Sequence, residues 1–424
     1  MPSSKMPPSI VRYKNPIIVL ALLTVGILCA GRSDAASNQP PDGIRFDGLV
    51  SESELQNMTG QPLAIKLRSG RFIVKVTVDE LQFDRKQNGL KFLKYLSETG
   101  RTSTVKVSDL YAFWVKNQRY QLRYFPPTQQ LFVINAAAAD ATAESRLAAE
   151  GNTIRESLDD KEQVEATTEH RQFLEEAANK LKDVASFRIE ETESTLIFTD
   201  YPPAATTGLR RFVDTMNEQL NHLFGIPMGD SVWRGKAILA VFSSPALFGQ
   251  FEERVMNNPN HGGRAGVRSG PKRFLQTAIA KKLDQNVARG LCWGYSLGFA
   301  NRLHSTARGV PWINMGIANT IQFAIVPDQR RQKSQRADVI RQIKNAGSLL
   351  GLLDATKLEQ ERWPLSGQLV NFLVTSDSIA FSQLFRDVKL GVPLEEALEQ
   401  NFGASKAELA DRFGRSLGVA GVQP

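Results

Sequence analysis

Cysteine and histidine are scarce in this chain. Its 424 residues include two cysteines, Cys29 and Cys292, and four histidines. Cys29 falls in an N-terminal segment expected to be removed. The mature chain then keeps one cysteine, which excludes an internal disulfide. Cys292 lies in an apolar helical stretch with no histidine near it in sequence, and reads as a buried thiol rather than a nucleophile. The histidines are dispersed. His261 sits in a glycine-rich loop, His170 and His222 are expected on polar helix faces, and His304 stands alone. A zinc site needs three or four converging ligands, so no metal and no cofactor is expected. A phosphate-binding glycine loop, a nucleophile elbow and a heptad run are also missing. Their absence argues against nucleotide binding, serine hydrolysis of that type and a coiled coil. No nucleic-acid partner is expected.

A long apolar run is missing as well. The longest, "PIIVLALLTVGILCAG", is short for a bilayer span of about 20 residues. It follows Lys5, Arg12 and Lys14 and precedes "SDAA". A basic flank, a short apolar core and small residues before Ala36 form the plan of a signal peptide over 1–35. The expected destination is therefore outside the cytoplasm: secreted, periplasmic or at the cell envelope. An uncleaved anchor is the alternative, and the only route to the membrane. A lipid on Cys29 is disfavoured because "GIL" lacks leucine at the third position before it. The formal charge is +8. Cleavage removes Lys5, Arg12, Lys14, Arg32 and Asp34, a net +3, and leaves a mild +5. That permits an anionic partner without demanding one.

What is present divides the chain. Residues 37–60 read as a tail with turn material in "NQPPDG". "LAIKLRSGRFIVKVTV" gives two β-rich runs around Ser69 and Gly70, and "RYQLRYFPPTQQLFVINA" repeats the plan around "PPTQ". Between them "GLKFLKYLSETG" reads as a short helix. A small β-rich domain is expected over 44–136. A charged, alanine-rich connector follows over 137–185, solvated helix or partly disordered, with helix favoured for 161–182 on the stripe Phe173, Leu174, Ala177, Ala178 and Leu181.

From about Ser186, strand-forming runs alternate with helices. "LRRFVDTMNEQLNHLFG" carries one apolar face and stops at Gly225. "KAILAVF" reads as a strand, Ser244 and Pro245 open a helix, and "RFLQTAIA" reads as another strand after the loop "NHGGRAGVRSGPK". Beyond Lys282 the pattern is helical, with a capping box at Ser405 and Glu408. The fold class expected is α+β. Two basic stretches, "GGRAGVRSGPKR" and "RRQKSQRADVIRQIKN", read as solvated loop and helix face. Anion binding through the first and contact with an anionic surface through the second are the alternatives.

One stretch is specific: "WGYSLGFANRLHSTARGVPWINMGIA", Trp293 to Ala318. With the elements before it, it resembles the gluzincin superfamily of zinc metallopeptidases (peptidase MA-like), in particular secreted bacterial members of uncharacterised function. The resemblance covers 186–424 and implies a zincin-like domain with a small α/β lobe and then a helical lobe. "VPWINMGIA" matches the family's W-L-N-E-G-x-A at Trp312, Ile313, Asn314, Gly316 and Ala318. "WGYSLGFANRL" stands where a helix beginning H-E-x-x-H would stand, down to Arg302 and Leu303.

In that motif two histidines four apart reach one zinc at about 2.0–2.1 Å, and a glutamate beside the first acts as general base. A glutamate on the next helix completes the ligands. The resemblance places these roles on Trp293 and Leu297 for the histidines, Gly294 for the base and Met315 for the third ligand. None of the four has the chemistry. The expectation is a degenerate site with no catalytic residues, acting in binding or scaffolding toward a protein or an envelope polymer. The groove would lie between the helices of 283–304 and 311–325, lined by Trp293, Leu297, Trp312, Asn314 and Met315, with Trp293 packed inside it. An active hydrolase with a relocated site and a purely structural envelope protein are the alternatives.

Overall fold

A computed structural model describes residues 44–424, apart from 85–88, 156–157, 228, 264 and 271. The segment read as a signal peptide lies outside the described residues. Among the described residues no helix is long and apolar enough to cross a membrane.

A short helix α1 (Glu52–Gln56), capped by Ser51, leads into seven antiparallel strands: β1 (Pro62–Leu67), β2 (Phe72–Asp84), β3 (Gly89–Ser97), β4 (Thr102–Lys106), β5 (Leu110–Val115), β6 (Gln118–Phe125) and β7 (Gln130–Asn135). Their order is β4-β3-β2-β1-β5-β6-β7. The β1–β2 turn falls at Ser69 and Gly70, and the β6–β7 turn at 126–129, as the sequence predicts. The β5–β6 connection is two residues, Lys116 and Asn117, both at positive φ, the twist that a two-residue hairpin needs. The sheet curls: a Cβ on Gly89 at the start of β3 would lie 2.8 Å from the backbone nitrogen of Leu131 in β7.

Two expectations are corrected here. Residues 89–97 form a strand, not a helix. Residues 44–60 do not all trail as a tail, because Val50, Leu55 and Met58 are buried with Leu63, Ile65 and Phe113 in the core of this sheet.

Helices α2 (Ala136–Ala148) and α3 (Asp160–Leu181) follow. Asp159 and Glu162 form a capping box that starts α3. Leu174, Ala177 and Leu181 of α3 are fully buried. They pack in one cluster with Leu196, Ile238, Phe242 and Phe251. The charged segment thus supplies a layer of the next sheet.

That sheet is assembled from β8 (Arg188–Glu191) and β9 (Thr195–Thr199), then helix α4 (Pro203–Leu223), β10 (Ala237–Phe242), helix α5 (Pro245–Arg254), β11 (Val267–Ser269) and β12 (Phe274–Ile279). The order is β11-β12-β10-β9-β8. β9, β10 and β12 run parallel, and the edge strands β11 and β8 are antiparallel to their neighbours. β10 is buried throughout. Ile238, Ala240 and Phe242 face the α3–α5 side, and Leu239 and Val241 face the α4 side, the two-residue period of a strand covered on both faces.

Seven helices complete the chain: α6 (Gln285–Arg302), α7 (Pro311–Ile325), α8 (Gln329–Ala346), α9 (Trp363–Ser376), α10 (Ser378–Lys389), α11 (Leu394–Phe402) and α12 (Lys406–Ser416). The fold is α+β. The first sheet is joined to the helices by polar anchors. The Arg123 guanidinium on β6 donates to both carboxylate oxygens of Asp387 on α10 at 2.8 and 2.5 Å, and to Asn401 Oδ1 on α11 at 2.9 Å. Lys66 Nζ reaches Asp230 at 2.6 Å, and Gln400 Nε2 donates to the Arg45 carbonyl at 3.1 Å.

Candidate functional site

Helix α6 is built for close contact on one side. Asp284 caps it by accepting from the backbone of Asn286 and Val287. Gly294 and Gly298, one turn apart, lie against the second sheet. A Cβ on Gly294 would stand 2.3 Å from Gln276 Nε2 and 2.8 Å from Val267 Cγ2, and one on Gly298 would stand 1.9 Å from the Phe274 ring. Tyr295 and Phe299 are buried on the same flank beside Trp233, whose indole donates to the Tyr295 hydroxyl at 2.8 Å. Burial pushes that hydroxyl up to about 12.

The other flank carries Trp293 and Leu297, four residues apart and both half-buried. The next residue of this stripe, Asn301, accepts from Asn314 Nδ2 on α7 at 3.3 Å. The Trp293 ring lies on Trp363 at the start of α9, with centroids 5.0 Å apart. Trp293 is therefore packed against an aromatic neighbour but not enclosed.

The remaining predicted positions fall on α7. Trp312 is fully buried in the main core, and its carbonyl accepts from Ser366 at 2.6 Å. Asn314 Nδ2 also donates to the Arg308 carbonyl at 2.7 Å, which ties the α6–α7 loop to the start of α7. Met315 is half-buried against the core. Gly316 brings α7 onto α9, where a Cβ would meet Val370 at 2.2 Å and the Ser366 carbonyl at 2.7 Å. The residues expected around a groove thus lie on two adjoining helices, and Trp312 and Asn314 serve packing and loop anchoring.

Among the described residues no three His, Cys, Asp or Glu side chains are placed to hold a metal ion. One histidine sits elsewhere than expected. His170 is buried, not on a polar face, and its two ring nitrogens meet the carbonyls of Lys236 at 2.8 Å and Lys272 at 3.2 Å. Burial lowers its pKa. His304 lies beyond the end of α6, at φ +68, with Nε2 buried and unpartnered. Burial, and then Arg386 and Lys389, hold it well below the ordinary imidazole range. His222 is exposed, and His261 lies edge-on to Phe248. The Cys292 thiol is buried and pushed up to about 12.

The basic stretches are largely engaged. Arg268 pairs with Glu252, which is fully buried, and the Arg273 guanidinium lies 3.8 Å from the centre of the Phe173 ring. On α8, only Val339 and Ile343 are buried, and the arginines line a solvated face.

A buried lysine was not anticipated. Lys389, at the end of α10, is wholly enclosed and donates to the carbonyls of Asn301 at 3.1 Å and of Ala307. Burial, reinforced by Arg155, lowers it from 10.5 to about 7. No protein-family model matches this chain, and no curated protein matches it.

Proposed function

We propose that this protein is secreted and acts by binding or scaffolding at the cell envelope, on a peptidase-like architecture without peptidase chemistry. Its partner would be a protein or an envelope polymer. The observation that carries this reading is Gly294, the position the gluzincin resemblance assigns to the general base. A Cβ there would stand 2.3 Å from Gln276 Nε2 and 2.8 Å from Val267 Cγ2, so a side chain fits only if those two side chains give way. The neighbouring positions support it: Trp293 packs at a tilt against Trp363, and Leu297 and Met315 are apolar and half-buried. A hydrolytic zinc needs three protein ligands, an open position and a base, and these four positions supply none of them.

The test is metal analysis of protein purified without a histidine tag, together with a broad peptide-library assay. The expected result is no stoichiometric zinc and no cleavage, in the parent and equally in the Trp293→His/Leu297→His double variant. About one zinc per chain with chelator-sensitive cleavage would overturn the reading. Secretion is tested by N-terminal sequencing of protein from the native host, which should begin near Ala36. An intact Met1 in the cytoplasmic fraction would sink that part.

A further inference from the structure

Beyond the α6–α7 face, the C-terminal end of α6 opens into a cavity of about 420 Å³. Three arginines from separate segments line it: Arg155 in the loop before α3, Arg234 in the loop before β10, and Arg302 in the last turn of α6. Arg302 is only 4% exposed. Its Nη1 donates to the Gly270 carbonyl at 3.1 Å, and its Nε has no acceptor. Arg155 Nε donates to the Ser305 carbonyl at 3.2 Å. These are neutral acceptors. Among the described residues none of the three arginines forms an ion pair, in contrast to Arg268 and Arg123. Burial, then Arg155 and Arg234, lowers Arg302 to about 10. It remains a cation at neutral pH, beside two others.

Elementary electrostatics makes this arrangement costly by itself. Like charges repel, and Arg302, buried with no carboxylate paired to it among the described residues, loses solvation without recovering it. An oxyanion would relieve both. Guanidinium forks match the oxygen geometry of phosphate and sulfate, and such hydrogen bonds are the strong ones. Ile154, Leu158 and Val232 add apolar lining beside the polar Thr153, Ser231 and Thr306. A volume of this size suits a small molecule or a headgroup.

We infer that this cavity is a binding site for a phosphate ester, its phosphoryl group held by Arg155, Arg234 and Arg302 and its organic part against Ile154, Leu158 and Val232. The chemistry is shared by soluble phosphate esters and by phospholipid headgroups. The site is independent of whether the α6–α7 face is inert, since no residue is common to both.

The experiment is calorimetric titration of the full chain with inorganic phosphate, glycerol phosphate and, separately, phosphatidylglycerol vesicles, against chloride as reference. Arg234 is exposed, so Arg234→Gln should leave the fold intact. Arg155→Gln is the second variant, and Arg308→Gln, exposed and outside the cavity, is the control. Glycerol phosphate should bind at one site per chain. Each cavity variant should weaken it about tenfold, the loss of one charge-assisted contact, and the control should not. Arginine-dependent binding of glycerol phosphate identifies a soluble ester, and of vesicles alone a lipid headgroup. Either supports the site. Binding no stronger than chloride, or affinity unchanged within about twofold in the Arg155→Gln/Arg234→Gln double variant, would overturn it.

Discussion

Two groups of cations, one pinned to Asp387 on α10 and one reached from Lys389 at its end through Arg155, are solved differently. On one side Arg123 is met by both oxygens of Asp387 and by Asn401, so the charge is neutralised as it is buried. On the other side, Lys389 sits two residues further along the same helix, facing only carbonyls, and Arg155 and Arg302 near it have no carboxylate among the described residues. The first arrangement holds two parts of the fold together. The second keeps positive charge in reserve. The same side chain type therefore reads as structure or as site according to what stands opposite it, not according to how deeply it is buried.

The largest effect should come from breaking the neutralised side. Asp387→Ala leaves Arg123 buried and unpaired and should cost about 3–5 kcal/mol in chemical denaturation. Arg302→Gln, which removes a cation that has no ion-pair partner among the described residues, should cost about 1 kcal/mol or less. Equal costs would erase the distinction.

Next comes pH. Lys389 binds its proton more weakly in the native state than in the unfolded chain. The unfolded chain therefore holds the extra proton between about 7 and 10.5, and stability should rise with pH in that window. His170 and His304 are lowered too, so stability should fall as pH drops below the ordinary imidazole value of 6.5. Cys292 and Tyr295 are raised, so Cys292 offsets the rise from about pH 9 and the two together reverse it above about pH 10. Denaturation midpoints at pH 7 and 9 should therefore differ by up to about 1.4 kcal/mol per pH unit, and Lys389→Met should flatten the difference. A rise that persists in the variant would assign it to other groups.

A smaller effect is expected at Trp293. Its half-burial against Trp363 predicts a loss of about 1–2 kcal/mol for Trp293→Ala, against about 3–5 for the enclosed Trp312→Ala. Smallest of all, Arg234→Gln should alter stability by no more than about 0.5 kcal/mol. A larger loss would mean that the reserved charge supports the fold.

Much of the architecture was legible because local chemistry and tertiary packing agree. The turns at Ser69–Gly70 and 126–129, the stop at Gly225 and the caps at Ser244 and Ser405 lie where the sequence places them. Strand β3 was not legible. Its pairing with β2 shifts register between Val78 and Glu80 and again between Gln82 and Phe83. The buried Leu90 and Leu93 consequently stand three apart, a helical spacing. His170 misled for another reason: only the converging strands bring the carbonyls of Lys236 and Lys272 to a helix face that is polar in sequence. The close-packing role of Gly294 and Gly298 in α6 was not read from "GYSLG", because which surface they meet depends on the sheet. The arginine cavity had no linear trace, because 155, 234 and 302 belong to three segments that meet only in the folded chain.

The Arg123–Asp387 anchor also sets an order of events in time. Its partners are 264 positions apart. Every pairing among the seven strands except the central β1–β5 joins neighbouring strands through a hairpin, and β1–β5 closes within the same early segment of the chain. Their seat on α10 and α11 does not exist until nearly the whole chain has been released. Docking is then the late, entropy-limited step of folding, and a chain arrested between the first sheet and α10 should display a finished sheet with an unmatched cation on its face.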